Sequence, residues 1–138
     1  MSTHQNNNVT IASIMMPIGT FPVVTEQTIL KKALEEMDNF HLGVACVVNN
    51  KGHLLGILTD GDIRRKLLSV QKPISAFFID DAIEQAILNP IVISSSNSLY
   101  EAVILMGKKR VWDLPVVDNN KLVGLLHLHP VVDALLSR

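Results

Sequence analysis

Thr59-Asp60-Gly61-Asp62-Ile63-Arg64-Arg65 concentrates more chemistry than any other stretch of this 138-residue sequence. The segment reads as a strand end that passes through a Gly-containing turn into a helix start. Free backbone N–H groups and the positive end of the helix dipole converge there, which suits a phosphate. Thr59 offers a hydroxyl donor, and Gly61 lets a ligand approach the backbone. Asp62 offers two acceptor oxygens, the usual way to hold a ribose diol. Arg64 and Arg65 can add a forked, charge-assisted contact to phosphate. The plainer alternative is that Thr59 and Asp60 merely cap the helix while the arginines face solvent. For Arg64 and Arg65 that solvated reading is the preferred one.

A second polar cluster is His127-Leu128-His129. Read as a strand, it places both imidazoles on one side, about 6 to 7 Å apart. Two histidines can ligate a metal, but no nearby Cys, Glu or third His completes a set. A phosphate-contacting role and a structural role therefore remain open for them, and no metal or cofactor is expected. Trp112 precedes the second hairpin and suits either a base-stacking role or a core or subunit interface. The chain offers no nucleophile–base pair and no Lys–carboxylate constellation, so it is not expected to be an enzyme by itself.

The elements that position these residues occur twice. At an offset of 69, Leu30 meets Leu99, Ala33 meets Ala102, Met37 meets Met106 and Val47-Val48 meets Val116-Val117. A one-residue deletion in the second turn shifts the offset to 68, where Gly56 meets Gly124 and Leu58 meets Leu126. Pro17 and Pro90 match only if the first copy carries four extra residues. Within each copy, Leu30, Ala33, Leu34 and Met37, or Leu99, Ala102, Val103 and Met106, recur at helical spacing. Ser98 and Glu101 have capping-box spacing.

Short strands are expected at Phe21 to Val24 and Ile91 to Ile93, before the helices. β-branched strands follow the helices, Val44 to Val48 and Leu114 to Val117. Asn- and Gly-rich turns then lead to strands Leu54 to Leu58 and Leu122 to Leu126. Short helices close the copies, near Asp62 to Leu68 and Pro130 to Leu136. The expected fold is α+β: two β-α-β-β-α repeats packed as a pseudo-twofold pair. The division is a disordered tail over 1–10, repeat one over 11–68, a connector over 69–79 and repeat two over 80–138. A short helix is expected over Asp80 to Leu88.

The bulk numbers narrow the function. Lys plus Arg number 12 against 13 Asp plus Glu, with no like-charge block, so neither nucleic acid nor an anionic membrane is an expected partner. No apolar run reaches the ~20 residues that a spanning helix needs. The polar start, Ser2 to Asn8, does not read as a secretory signal. The single cysteine, Cys46, excludes an intrachain disulfide and sits in a β-branched run, which predicts a buried thiol. Together these point to a cytoplasmic protein.

Gly56-Ile57-Leu58-Thr59-Asp60-Gly61-Asp62-Ile63-Arg64-Arg65, Leu114-Pro115-Val116-Val117-Asp118 and the duplication resemble the CBS domains named after cystathionine β-synthase. The likeness covers about Ile11 to Leu136. Thr59 to Arg65 with Gly124-Leu125-Leu126-His127-Leu128-His129 is further similar to the CBS tail of bacterial arabinose-5-phosphate isomerases, and to CBS pairs of sugar nucleotidyltransferases. Those isomerases carry a sugar-isomerase domain for which this chain has no room.

The resemblance implies a regulatory module that senses a small molecule in the cleft between repeats, with AMP, ATP or a sugar nucleotide as ligand. It implies contacts from Thr59 and Asp62 to phosphate and ribose, and a homodimer. Two alternatives stand beside it: a C-terminal regulatory part of a sugar-phosphate isomerase, and a dimerisation platform with empty clefts. In the second repeat, His127 stands where Thr59 stands and Pro130 replaces Asp62. The two clefts are therefore expected to differ.

Overall fold

The computed structural model describes residues 9–136. In chain order the elements begin with α1 (Ile11–Ile14), β1 (Met16–Pro17), β2 (Val23–Thr25), α2 (Leu30–Phe40), β3 (Val44–Val48), β4 (Leu54–Thr59) and α3 (Asp60–Ser69). They continue with α4 (Ile74–Ile79), α5 (Ala82–Gln85), β5 (Ile87–Leu88), α6 (Leu99–Lys109), β6 (Asp113–Asp118), β7 (Lys121–His127) and α7 (Leu128–Leu136). Helix and sheet are mixed throughout, as the sequence predicts. The chain divides into two units: Gly19–Pro90, and the segment ending at Ile18 together with the segment that begins at Ile91.

In the Gly19–Pro90 unit the sheet order is β2-β3-β4-β5, with β2 parallel to β3 and the other pairs antiparallel. The amphipathic spacing of α2 puts Leu30, Ala33 and Met37 into a core with Val47, Leu58, Ile63 and Phe77. Cys46 is fully buried in β3, as expected.

The connector differs from expectation. Ile74–Ile79 is helical after Pro73, because proline is pre-set for a helix start and Phe77 supplies a buried anchor. The expected helix over Asp80 to Leu88 covers only Ala82–Gln85 and gives way to β5. Asp80 ties this stretch down, accepting from Lys72 and from the buried Gln85.

The other unit has the sheet order β1-β7-β6, all antiparallel. Leu99, Ala102 and Met106 of α6 are buried with Ile11, Leu114, Val116, Leu126 and Val131. The Ser98–Glu101 capping box is present in full. The expected strand Ile91 to Ile93 shrinks to one parallel bridge, Ile93 to Val116. Proline explains it. In the first repeat Cys46 N–H donates to Pro22, whereas the matching position in β6 is Pro115, which has no N–H to give.

Each repeat's lead-in segment belongs to the other repeat's unit. Leu30 N–H donates to Asp80 and Ala82 N–H to Thr28; in the other unit Leu99 N–H donates to Val9 and Ile11 N–H to Asn97. These are the same two bonds at matching positions, so Val9 to Pro17 corresponds to Asp80 to Leu88. Pro17, which pairs with Gly124, therefore matches Leu88, which pairs with Gly56, rather than Pro90. Val9 and Thr10, grouped with the polar tail by sequence, are held by the Val9–Leu99 bond and a Thr10–Ser98 bridge. Residues 1–8 lie outside the described residues.

Candidate functional site

Thr59 ends β4 and Asp60 opens α3, so the strand runs directly into the helix. There is no Gly-containing turn: Gly61 lies inside the first helical turn. Thr59 is the N-cap, and its hydroxyl both accepts from the Asp62 backbone N–H (3.2 Å) and donates to Asp62 Oδ2 (2.8 Å). The other carboxylate oxygen of Asp62 accepts from Arg65 at 2.7 Å.

Arg65 is therefore a partner of Asp62, although most of its side chain is exposed; Arg64 faces solvent. The guanidinium also covers Gly61, lying 3.2 Å from where a Cβ would stand. A ligand that approaches Gly61 from the side of that missing Cβ meets the Arg65 guanidinium first. Burial pushes the Asp62 carboxyl upward, but the bonds from Arg65 and Thr59 and the charges of Arg65 and Lys66 outweigh it. The group is held below the usual carboxylate range. Asp60 and Asp62 also place two carboxylates in the first turn of α3, which suits the helix dipole and opposes a phosphate at that end.

The junction in the second repeat is built differently. His127 closes β7, while His129 sits on α7 and is exposed. The expectation that both imidazoles share one face of a strand is corrected, because the strand turns helical at Leu128. Pro130 has no N–H for an N-cap side chain to accept from, and the His127 ring is engaged across the sheet instead. Its Nδ1 lies 2.5 Å from Asp113 Oδ1, the two residues being direct partners in the β6–β7 ladder. Burial raises the Asp113 carboxyl above its ordinary range, and the bond and charge of His127 offset only part of the rise. The matching pair in the first repeat is Val44 opposite Thr59. Sequence reading missed Asp113, because a cross-strand pair is visible only once the register is known.

Two further contacts escaped the sequence reading. The Asp60 side chain lies against Gly43, where a Cβ would fall 2.5 Å from its Oδ2. Beside it, Met37, Asp38, His41 and Asp60 line a pocket of about 330 Å³. At the matching positions of the second repeat, Met106, Gly107, Arg110 and Leu128, with Trp112, line an apolar pocket of about 410 Å³. Trp112 is 67% exposed, so it is not a core residue of the chain. Among the described residues, no three His, Cys, Asp or Glu side chains gather where they could hold a metal. No helix among them is long and apolar enough to cross a membrane.

Fold and junctions together define a tandem α+β module in which each repeat has a strand end that runs directly into a helix, capped by Thr59 in the first repeat only. The CBS domain profile matches residues 11–69 and again 80–137, and the chain belongs to the CBS domain family as a tandem pair. An uncharacterized protein of Rickettsia prowazekii is 31% identical over 88% of this chain and 36% of its own length. Arabinose 5-phosphate isomerase KdsD of Francisella tularensis is 30% identical over 88% of this chain and 36% of its own. The chain thus spans little more than a third of the curated relatives it matches. Among solved structures, CBSX2 in complex with AMP superposes with a TM-score of 0.82 at 28% identity, covering 94% of this chain and 97% of that one. The CBS pair of MJ0100, in complex with 5′-methylthioadenosine and S-adenosyl-L-methionine, shares the fold at a TM-score of 0.76 and 20% identity, over 91% and 94% of the two chains.

Proposed function

We propose that this chain is a regulatory, non-catalytic module that binds an adenine nucleotide or a sugar nucleotide at the strand-to-helix junctions of its CBS repeats. The observation that carries the reading is the junction at Thr59, Asp60, Gly61 and Asp62. There a hydroxyl, a charged carboxylate and a displaceable guanidinium meet at a helix start. The likeness to an AMP-bound CBS protein over nearly the whole chain supports the adenine nucleotide. A phosphate that draws Arg65 away would expose Gly61 and leave Asp62 free for a ribose diol. His127 and His129 offer the second repeat's contacts.

Calorimetric titration of AMP, ATP and a UDP-sugar tests this. Asp62→Ala removes a charge-assisted acceptor worth about 1.5–3 kcal/mol, so affinity should fall about ten- to a hundredfold. Tight binding indifferent to Asp62→Ala moves the site to the His127 junction. No binding by the wild-type chain leaves the dimerisation platform as the better reading.

The likeness to arabinose 5-phosphate isomerase KdsD favours a module that serves a sugar-phosphate isomerase. We further propose a cytoplasmic homodimer; the apolar pocket around Trp112, whose counterpart in the first repeat is lined by Asp38, His41 and Asp60, supports the dimer.

A further inference from the structure

Three positions change together between the two junctions. Val44, Thr59 and Asp62 in the first repeat become Asp113, His127 and Pro130 in the second. In the first repeat the polar groups satisfy one another locally: Thr59 caps, Asp62 accepts, Arg65 neutralises. In the second, Pro130 deletes the N–H that a cap would serve. A carboxylate in the sheet, only 15% exposed, takes hold of the imidazole instead. A partly buried Asp–His pair is costly to keep where Val and Thr fit the same fold. The cost calls for a role.

The bond to Asp113 uses Nδ1 and leaves Nε2 as the ring's second polar atom, on a side chain that is 28% exposed. A carboxylate behind an imidazole fixes the ring's orientation and tautomer and favours its cationic form. The first turn of α7 holds no acid, unlike that of α3, so the carboxylate nearest an anion there is Asp113, behind the imidazole.

We propose that Asp113 is a positioning residue of the second junction: it holds His127 so that Nε2 faces the ligand, and binding an anionic ligand takes up one proton at that nitrogen. The inference rests on the nucleotide-binding reading above and adds its specificity and its pH dependence.

The electrostatic surroundings are simple. The elements packed against β7 and α7 on the near side, α1 and β1, carry no ionisable side chain. Tyr100, Glu101, Lys108 and Lys109 lie on α6 and Arg110 follows it, His129 and Asp133 lie on α7, and Lys121 and Asp118 sit at the far end of the hairpin. His127 is the side chain that meets the Asp113 carboxylate directly.

AMP titrated by calorimetry between about pH 6 and pH 9, in buffers of differing ionisation enthalpy, tests the proposal. The wild-type chain should take up one proton, and its affinity should fall about tenfold per pH unit on the alkaline limb. Asp113→Asn keeps the shape of the pair but loses its charge; its alkaline limb should begin at lower pH. His127→Gln keeps a polar head that cannot accept a proton, so its profile should be flat. Should Asp113→Asn fail to fold, Asp113→Ser takes its place, since it too removes the charge behind the ring, and the same shift of its alkaline limb is expected. Wild-type binding without proton uptake, or the same profile in the variants, overturns the inference and leaves the nucleotide reading standing. No binding of AMP, ATP or a UDP-sugar to the wild-type chain at any pH overturns both.

Discussion

Asp62 is held by two side chains and caps nothing itself; Thr59 does the capping. Because its folded carboxyl titrates below the ordinary range, the folded state gains wherever Asp62 is charged. That gain is fully present above the unfolded value, about pH 4, and is lost as pH falls through the lowered folded value. Asp62→Asn should therefore cost at most about 1 kcal/mol near neutrality, the pair being partly exposed. The difference from wild type should close as pH falls below the unfolded value, about pH 4, as read by thermal melts. Thr59→Ala loses the cap, about 1 kcal/mol, together with the hydroxyl's bond to the Asp62 carboxylate, so part of its cost should also fade in acid.

The Thr59–Asp62 spacing was readable in the sequence because a cap and its partner are neighbours along one helix turn. Arg65 over Gly61 was not, since helical i, i+4 geometry appears only once Asp60 is known to begin the helix. Nor was Asp113 opposite His127, because residues 14 apart meet only through the hairpin's register.

Among the elements, the paired helices were the easiest to foresee: their apolar positions recur at one spacing, and all six anchors, Leu30, Ala33, Met37, Leu99, Ala102 and Met106, are buried. The edge strands were invisible, having two residues apiece and no alternation to read. What marks them is the glycine each one lies against. A Cβ on Gly56 would come within 2.9 Å of the Ile87 carbonyl oxygen, and one on Gly124 within 2.9 Å of that of Met16. Both contacts are to backbone, which yields only if the edge strand is pushed off. Gly56→Ala and Gly124→Ala should each cost about 1–3 kcal/mol in denaturant unfolding. Gly43→Ala meets only the mobile carboxylate of Asp60 and should cost clearly less. Equal costs at all three would remove the edge strands from the explanation. Ser98→Ala should cost about 1 kcal/mol through loss of the capping box.

For the molecule as a whole, duplication was visible in the sequence, but the threading was not. Side-chain periodicity reports which face an element buries and not which repeat it joins. The lead-in segments cross over: Ile11, fully buried, packs with Leu99, Leu114 and Val131, residues at least 88 positions away. It also donates its N–H to Asn97, and β1 completes the β7 edge. Ile11→Ala should therefore cost about 2–5 kcal/mol, the range for a large aliphatic removed from a packed core.

The cost should also have an address. The sheet nearest in sequence, β2 to β5, holds its own core of Leu30, Val47, Leu58 and Phe77 with no contribution from Ile11. Amide hydrogen exchange should then accelerate on β6, β7 and α6 of the Ile11→Ala chain, while β3 and β4 keep their protection. A chain begun at Gly19, which lacks α1 and β1 altogether, should show the same pattern more strongly. Acceleration confined to β2 and α2, the elements that follow Ile11 in sequence, would mean that the lead-in stays with its own repeat and that the exchange of segments is wrong.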